Sequence, residues 1–245
     1  MNELASRQKK YEDEYNIIIK GDSPFLIRLD GKGFSKQIKR WKCEKPFDKY
    51  FHEAMIDATE YLMNEIAEIK LAWTGSDEIT LLFDSKSKWY NNRVNKLLSL
   101  TAAYASVKFN QSMISNLNNN VNKYPAVFDS RIITPPNIAE CLNNFIYRQR
   151  DCIRNSISMW FGHFYSHKQA MAKNSDEKIK QLKEEKQFDW NIGAPSYTKF
   201  GTLFYYTKVT KVAPDNTTYI RNVLNKSYDK FTFNYLQNVL KDDNN

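Results

Sequence analysis

The sequence contains little cysteine, glycine or proline for its length. Its 245 residues include three Cys, seven Gly and seven Pro. Cys43, Cys141 and Cys152 show no CxxC spacing and cannot all pair with one another, which indicates reduced thiols in a reducing compartment. The scarcity of glycine and proline, which follow no period, excludes collagen-like and low-complexity chains.

Long hydrophobic runs are also missing. No apolar run approaches the length needed to span a bilayer, and the first ten residues lack the apolar segment of a secretory signal. From these features we expect a cytoplasmic protein without a membrane partner.

Apolar and basic residues are plentiful. Hydrophobic residues make up 42% of the chain and aromatic residues 14%, which is enough for the core of one large domain. The 36 Lys and Arg against 28 Asp and Glu give a formal charge of +8. This excess favours a phosphate-rich partner, although solvated surface lysines would produce the same balance.

The spacing of apolar residues predicts a chain with both helices and strands. Predicted helices cover residues 1–16, 48–66, 92–109, 138–164, 166–187 and 228–240, and predicted strands cover residues 25–29, 69–73, 78–83, 126–133 and 201–212. The Asn-rich segment 116–122 is expected to be an exposed loop. The first 133 residues therefore follow the β-α-β-β-α-β order of a ferredoxin-like α+β fold, with helices on one face of the sheet and a C-terminal α/β extension.

Three carboxylates are expected at one end of this sheet. The first and third strands of the topology are antiparallel neighbours, so Asp30, which ends the first, should lie beside Asp77 and Glu78, which begin the third. Carboxylates beside backbone carbonyls suit Mg²⁺, and Gly31 would allow close approach of the backbone. Either element alone could be an ordinary polar turn, but their predicted convergence favours a metal site.

Three motifs in chain order resemble the tRNA-histidine guanylyltransferase family: Arg28-Leu-Asp-Gly-Lys-Gly-Phe34, Lys45-Pro-Phe-Asp48 and Gly75-Ser-Asp-Glu78. Further landmarks of the family follow at Arg93-x-x-Lys96, Phe128-Asp-x-Arg131, Arg148-Gln149-x-Asp151 and Lys199-x-Gly201. Together they extend over most of the chain.

The resemblance implies an enzyme that adds nucleotides to the 5′ end of RNA in the 3′→5′ direction. A 5′-monophosphate is first activated with ATP, and the 3′-hydroxyl of an incoming nucleoside triphosphate then attacks, whereas a 5′-triphosphate can skip activation. Two Mg²⁺ ions, ATP and GTP or another triphosphate as substrates, tRNA as partner and a homotetramer built as a dimer of dimers are implied. Residues 1–135 would form a polymerase-palm-like catalytic domain, and residues 136–245 an extension packed on it that carries tRNA and oligomer contacts.

The resemblance also implies roles for individual residues. Asp30, Asp77 and Glu78 would be catalytic, with Asp30, Asp77 and the Gly31 carbonyl holding metal. The nucleotide-binding residues would be Arg28, Lys32, Gly33, Phe34, Lys45, Asp48, Ser76, Arg93 and Lys96, and the RNA-binding residues Arg131, Arg148, Asp151, Arg154, Asn155 and Lys199. Solvated charges on a helix are the alternative for Arg93 and Lys96, and an ion pair with Asp129 is the alternative for Arg131.

Two departures from the family pattern bear on the substrate. Ile153 stands where eukaryotic members carry a histidine, and Phe47 replaces the asparagine of the activation motif. Phe47 could stack on a base or weaken activation. The departures favour the guanylyltransferase-like branch, a template-directed polymerase that repairs 5′-truncated tRNAs. A strict tRNA-histidine guanylyltransferase, and an inactive or cyclase-like palm that binds RNA, are the alternatives.

Overall fold

The computed structural model describes residues 3–19, 23–117 and 120–244. Its strands are β1 (Phe25–Gly31), β2 (Ile69–Gly75), β3 (Glu78–Phe83), β4 (Phe128–Ile133), β5 (Thr202–Val212) and β6 (Thr218–Ser227). Its helices are α1 (Glu3–Asp13), α2 (Phe34–Trp41), α3 (Lys49–Glu65), α4 (Val94–Leu117), α5 (Asn120–Lys123), α6 (Ile138–Phe164), α7 (His167–Met171), α8 (Ser175–Lys186), α9 (Trp190–Gly193), α10 (Ser196–Phe200) and α11 (Phe233–Asn244), with a 3₁₀ turn at Trp89–Asn92.

The six strands form one sheet in the order β4-β1-β3-β2-β5-β6, with antiparallel pairing between all neighbours. The first four strands reproduce the ferredoxin-like order expected from the sequence. In the β1–β3 register, Arg28 lies opposite Thr80 and Asp30 lies opposite Glu78. The predicted meeting of the end of β1 with the start of β3 is therefore confirmed.

The alternation of residues along β1 divides the core into two layers, because successive side chains of a strand point to opposite faces. Ile27 and Leu29 pack in the layer covered by α3 and α4, the face on which helices were expected. Leu26 packs in the second layer, among residues of α6 and α11. Arg28 and Asp30 follow Leu26 at two-residue intervals, so they lie on the face that α6 covers.

The residues after position 136 extend the same sheet. Strand β5 pairs with β2 over residues 202–205, and β5 and β6 then continue together as a hairpin. Asn137 caps the start of helix α6, and its side-chain oxygen accepts a hydrogen bond from the Glu140 backbone N–H. The extension thus supplies one edge of the sheet, strand β6, and the helix that lies over the charged end of β1.

Three local expectations need correction. The Asn-rich segment 116–122 is not a loop as a whole, because α4 runs to Leu117, α5 begins at Asn120, and Val121 is buried in the core; residues 118 and 119 lie outside the described residues. Residues 166–187 form two helices rather than one, since α8 starts anew with an Asn174 capping box. Helix α2 was not predicted, although Phe34, Ile38 and Trp41 follow helical spacing.

In the described part of the chain, no helix is both long and apolar enough to cross a bilayer.

Candidate active site

The turn between β2 and β3 is held against the end of β1 by backbone hydrogen bonds. Gly31 N–H donates to the Asp77 carbonyl at 3.0 Å, and the Thr74 hydroxyl donates to the Glu78 carbonyl at 2.8 Å. Ser76 occupies the left-handed region with φ 56° and donates from Oγ to Asp77 Oδ1 at 3.1 Å. These contacts place the Asp77 carboxylate beside the last residues of β1.

The carboxylates of Asp30 and Asp77 repel each other electrostatically. Burial raises the pKa of Asp77 above its ordinary value, and the charge of Asp30 raises it further. Two arginines lie near Asp30, since Arg28 Nη2 is 3.9 Å and Arg131 Nη2 is 3.7 Å from Asp30 Oδ2. A pair of mutually repelling carboxylates in a partly buried site favours a bound cation.

Glu78 is engaged in ion pairs rather than pointing freely into the site. Its Oε1 accepts a hydrogen bond from Arg28 Nη2, and Arg148 Nε of α6 lies 3.4 Å from its Oε2. Burial raises the pKa of Glu78, whereas Arg148 and Arg28 oppose that rise. Glu78 therefore pairs with Arg28, which lies beside Asp30, and with Arg148 of α6.

The donor set at this end of the sheet fits Mg²⁺. Among residues 3–19, 23–117 and 120–244, no group of three or more His, Cys, Asp and Glu side chains is arranged to hold a metal. A cation held by Asp30 and Asp77 would therefore take its other ligands from the Gly31 carbonyl, water and substrate phosphates. This is the usual composition of a Mg²⁺ site that shares its ion with a nucleotide.

The loop after β1 is supported from below by Phe34. A Cβ atom on Gly31 would lie 2.5 Å from the Phe34 ring, so glycine is required for this close contact. Phe34 is 1% exposed and packs edge-on against Trp41 and Phe128. The ring therefore supports the loop from within the core, and any nucleotide contact by this residue would come from its backbone, so its nucleotide-binding role stays a prediction.

Two other residues of this loop remain accessible. Lys32 and Gly33 are both exposed. Gly33 takes φ 66° as the residue that caps α2, and the backbone N–H of Lys32 donates to the Val127 carbonyl at 2.8 Å. The exposed lysine leaves a cation available next to the carboxylates.

The predicted activation loop ends in a buried carboxylate. Asp48 is 8% exposed and caps α3, with Oδ1 accepting from Phe51 N–H at 2.9 Å and Oδ2 from Glu44 N–H at 2.8 Å. These two hydrogen bonds hold the Lys45–Asp48 loop against the start of α3. Lys45, joined to Pro46 by a cis peptide bond, is exposed, and the Phe47 ring lies 6.0 Å from that of Trp160 in α6.

A cavity of about 460 Å³ joins this loop to the carboxylate turn. Its walls come from α2, the loop and start of α3, the β2–β3 turn, the C-terminal half of α6, and α10. They include Lys45, Phe47, Asp48, Ser76, Asp77, Asn155, His52 and Tyr197. The volume lies within the range of small-molecule binding sites.

Arg93 and Lys96 belong to a different cleft. It has a volume of about 400 Å³ and shares none of its lining residues with the first cavity. Arg93 precedes α4 and forms an isolated bridge with Ile18, and the Asn95 side chain donates to the Tyr15 carbonyl at 2.8 Å. The expectation that both residues lie on one helix is thus wrong for Arg93.

The predicted RNA-binding residues divide by burial. Arg148 is 6% exposed and pairs with Glu78 and Asp151, and Lys199 is 7% exposed with Nζ donating to the Asn191 carbonyl at 2.8 Å. Burial and pairing within the protein speak against direct contact of either side chain with RNA. Arg154 is exposed and pairs with Asp151.

The remaining members of that set face solvent or the cavity. Arg131 and Asp129 form the ion pair considered as an alternative, at 3.1 Å, with side chains 51% and 56% exposed. Hydrogen bonds from Arg148 and Arg154 lower the pKa of Asp151 against the opposing effect of burial. Asn155 is exposed at the cavity wall.

Sequence reasoning missed two cavity residues, His52 and Tyr197. They come from α3 and α10 and their rings stack in the folded chain. No motif marks either position. The only signal for His52 is its location one turn after the capping residue Asp48, and nothing in the sequence pairs it with Tyr197.

A ferredoxin-like sheet with two carboxylates at the junction of β1 and β3, beside a nucleotide-sized cavity, defines a palm-type nucleotidyltransferase. The family model described as Thg1, tRNAHis guanylyltransferase, matches residues 5–136. The chain belongs to this family, whose tRNA guanylyltransferases are nucleotidyltransferases. The resemblance read from the motifs is confirmed, as is the α+β fold.

Relatives and solved structures extend the match beyond the palm. An uncharacterised protein of Acanthamoeba polyphaga mimivirus is 30% identical over 97% of this chain and 88% of its own length. The tRNA(His) guanylyltransferase of Debaryomyces hansenii is 31% identical over 61% of this chain, and this chain spans only 56% of that protein.

Two solved structures cover nearly the whole chain. A bacterial tRNA(His) guanylyltransferase-like protein in complex with ATP superposes with a TM-score of 0.81 at 29% identity, covering 97% of both chains. A bacterial structure of the same description in complex with GTP gives a TM-score of 0.72 at 27% identity, covering 98% of both chains.

Proposed function

We propose that this protein adds nucleotides to the 5′ end of truncated tRNA by template-directed 3′→5′ transfer. A 5′-monophosphate end is activated with ATP before addition, and a 5′-triphosphate end is used directly. One observation carries the proposal: the turn bearing Asp77, beside Asp30, opens into the same cavity as the Lys45–Asp48 loop. A metal-binding carboxylate and a nucleotide-sized space therefore share one wall.

Each residue of the site has a role in this reaction. Asp30, Asp77 and the Gly31 carbonyl would hold two Mg²⁺ ions, which would supply charge neutralisation at the phosphates and activation of the attacking hydroxyl. Ser76 offers its hydroxyl to a phosphate oxygen from an exposed position. Lys45 brings a cation to the cavity, so the chain itself binds and orients the triphosphate.

Templated addition is supported by the surroundings of Ile153. This residue packs with Ile157, Trp190 and Ala194 in a small apolar cluster. An aliphatic side chain in such a cluster has no group that could hydrogen-bond to a base. Pairing with the opposite strand of the acceptor stem would then select the nucleotide. The neighbours solved with ATP and with GTP are described as guanylyltransferase-like proteins, which agrees with this proposal.

Strict addition of one G to histidine tRNA is the second candidate. It is favoured by the matching relatives of Debaryomyces hansenii and Schizosaccharomyces pombe, which are described as tRNA(His) guanylyltransferases, and by that of Mus musculus, which is described as a probable one. The chemistry at Asp30 and Asp77 would be the same in both cases, so only the source of nucleotide selection separates them.

We further propose that the active unit in the cytoplasm is a homotetramer built as a dimer of dimers. A tRNA is large relative to one 28.9 kDa chain, so several subunits would be needed to hold both its acceptor end and its body. Sedimentation equilibrium with and without tRNA tests this point. A monomer at micromolar concentration in both conditions would contradict it.

The decisive experiment uses two tRNA transcripts that lack the 5′-terminal nucleotide, one histidine tRNA and one unrelated tRNA. Each carries a 5′-monophosphate and is incubated with ATP, Mg²⁺ and each nucleoside triphosphate singly. The template nucleotide opposite the gap is then varied. We expect addition that follows the template on both tRNAs.

Two other outcomes would contradict the proposal. Addition of G alone, only to histidine tRNA and regardless of the template, would establish the strict guanylyltransferase. No addition even to a 5′-triphosphorylated tRNA would favour a palm domain that only binds RNA. In the matched control, Asp77→Ala should abolish addition.

A further inference from the structure

The far wall of the active-site cavity carries a stacked pair of aromatic rings. The His52 imidazole and the Tyr197 ring lie with centroids 4.0 Å apart and planes 20° from parallel. Both residues line the cavity. Tyr228 also approaches His52, with a centroid distance of 6.3 Å and a tilted ring, but it is not part of the cavity wall.

The cavity is chemically divided. Ser76 and Asp77 belong to the turn at which metal and phosphate would bind, whereas His52 and Tyr197 supply uncharged rings. Burial and the nearby Lys226 lower the pKa of His52 to about 4, and burial raises the pKa of Tyr197. Both groups are therefore neutral at physiological pH. A nucleotide has the same division, with charged phosphates at one end and a flat, neutral base at the other.

Flexible aliphatic side chains continue the aromatic wall. Met55 lies one turn after His52 on α3, and Met159 faces the cavity from α6. Asp48 lies one turn before His52, with both carboxylate oxygens already accepting backbone hydrogen bonds. The wall around the stacked pair thus offers planar and apolar surface to a ligand.

We infer that the His52–Tyr197 pair is the stacking surface for the base of the activating nucleotide, a purine nucleoside triphosphate. The inference rests on the proposed function and deepens it by naming residues that bind the base. Stacking on aromatic side chains contributes substantially to base binding, and the two-ring purine has the larger face to offer. Of the phenylalanines in the first two motifs, Phe34 is buried beneath the loop, whereas Phe47 lines the same cavity with its ring 6.0 Å from that of Trp160.

The test compares the affinity for ATP with that for tripolyphosphate, which lacks the base and sugar. Binding is measured by isothermal titration calorimetry with Mg²⁺ and without RNA, for the full chain and for Tyr197→Leu and His52→Leu. We expect each substitution to weaken ATP binding about tenfold. Tripolyphosphate affinity should stay unchanged, which also shows that each variant is folded.

Two matched variants separate stacking from general packing. Tyr197→Phe keeps the ring and should bind ATP like the unsubstituted protein, whereas Tyr228→Leu removes a ring that contacts His52 outside the cavity and should also have no effect. Equal weakening of ATP and tripolyphosphate, or undiminished ATP binding in Tyr197→Leu and His52→Leu, would overturn the inference. Failure of the unsubstituted protein to bind ATP would instead overturn the proposed function, and the inference with it.

Discussion

Arg148 Nε lies 3.4 Å from Glu78 Oε2 and connects α6 to the first residue of β3. The Arg148 side chain is 7% exposed and also pairs with Asp151 on its own helix. Glu78 in turn accepts a hydrogen bond from Arg28 on the neighbouring strand. The carboxylate end of the palm is therefore braced by a helix that follows the palm in the sequence.

Replacing Arg148 with Met should destabilise the protein by about 1–3 kcal/mol, because the partly buried Glu78 loses one of its two arginine partners and keeps only Arg28. Chemical denaturation at pH 7 measures the loss. Arg154→Met is the matched control, because Arg154 also pairs with Asp151 but has a side chain that is 62% exposed. The control should cost less than about 1 kcal/mol. Equal losses of unfolding free energy in the two variants would show that the burial of Arg148 does not increase its contribution to stability.

Asp77→Asn should abolish the stabilisation of the protein by Mg²⁺ while keeping the shape of the turn. In the proposed site the carboxylates of Asp77 and Asp30 hold the cation together, and an amide is neutral and a poorer ligand. Thermal unfolding with and without Mg²⁺ and ATP checks this: the midpoint should rise in the unsubstituted protein and remain constant in the variant. Asp84→Asn, on a loop away from this turn, is the control and should respond like the unsubstituted protein.

The Asp77 substitution should leave RNA binding largely intact, since it removes no basic residue from a chain with a formal charge of +8. Filter binding with a 5′-truncated tRNA measures this. Loss of addition and of RNA binding together would indicate that the turn has a structural role instead.

His52 should make the folded protein sensitive to mild acid. Its pKa is about 4 in the folded protein against 6.5 ordinarily. Above pH 6.5 both states hold a neutral imidazole and the full stability is present; as the pH falls from 6.5 towards 4, the unfolded chain gains the proton first and stability is lost. The loss attributable to His52 should be about 3 kcal/mol at most.

Denaturation curves at pH 7 and pH 4.5 measure this effect in the unsubstituted protein and in His52→Leu. The variant should lose less stability on acidification, because its residue 52 cannot take up a proton. His167→Leu, at the start of α7, serves as the histidine control. An unchanged pH dependence in His52→Leu would contradict the burial of this imidazole in its neutral form.

Gly31→Ala should destabilise the protein by about 1–3 kcal/mol, because the new methyl group would lie 2.5 Å from the Phe34 ring and force the aromatic cluster to shift. Gly162→Ala in α6 meets nothing within 4 Å and should instead stabilise the protein by up to about 1 kcal/mol. Thermal unfolding of both variants tests the pair. The same sign of change in both would contradict the tight contact at Gly31.

The first five strands and the convergence of the carboxylates were the most predictable parts of the molecule, whereas β6 was not predicted. A run such as Phe25–Leu29 is largely apolar because core layers cover both faces of its strand, with Arg28 as the charged exception. The β-α-β-β-α-β order then fixes which strands are neighbours. The register of Asp30 opposite Glu78 follows from that order. These features depend on short stretches of chain and on general rules of connection.

Burial of individual motif residues was less predictable. Phe34, Arg148 and Lys199 occupy motif positions that suggest ligand contacts, yet each is buried among its own protein neighbours. A motif records that a residue type is present at a position, whereas its exposure depends on which distant element packs over it. The helical course of residues 116–117 has a similar cause, since α4 continues along the core beyond the point where its local composition turns polar.

The sequence by itself determined the family, the order of the strands and the meeting of Asp30 with Asp77, because these follow from ordered motifs and local periodicity. Only the tertiary structure decided that Arg148 braces Glu78 and that His52 stacks on Tyr197. Those contacts join α6 to β3 and α3 to α10. The free energy that holds them comes from burial between elements far apart in the chain, and no local pattern of residues encodes it.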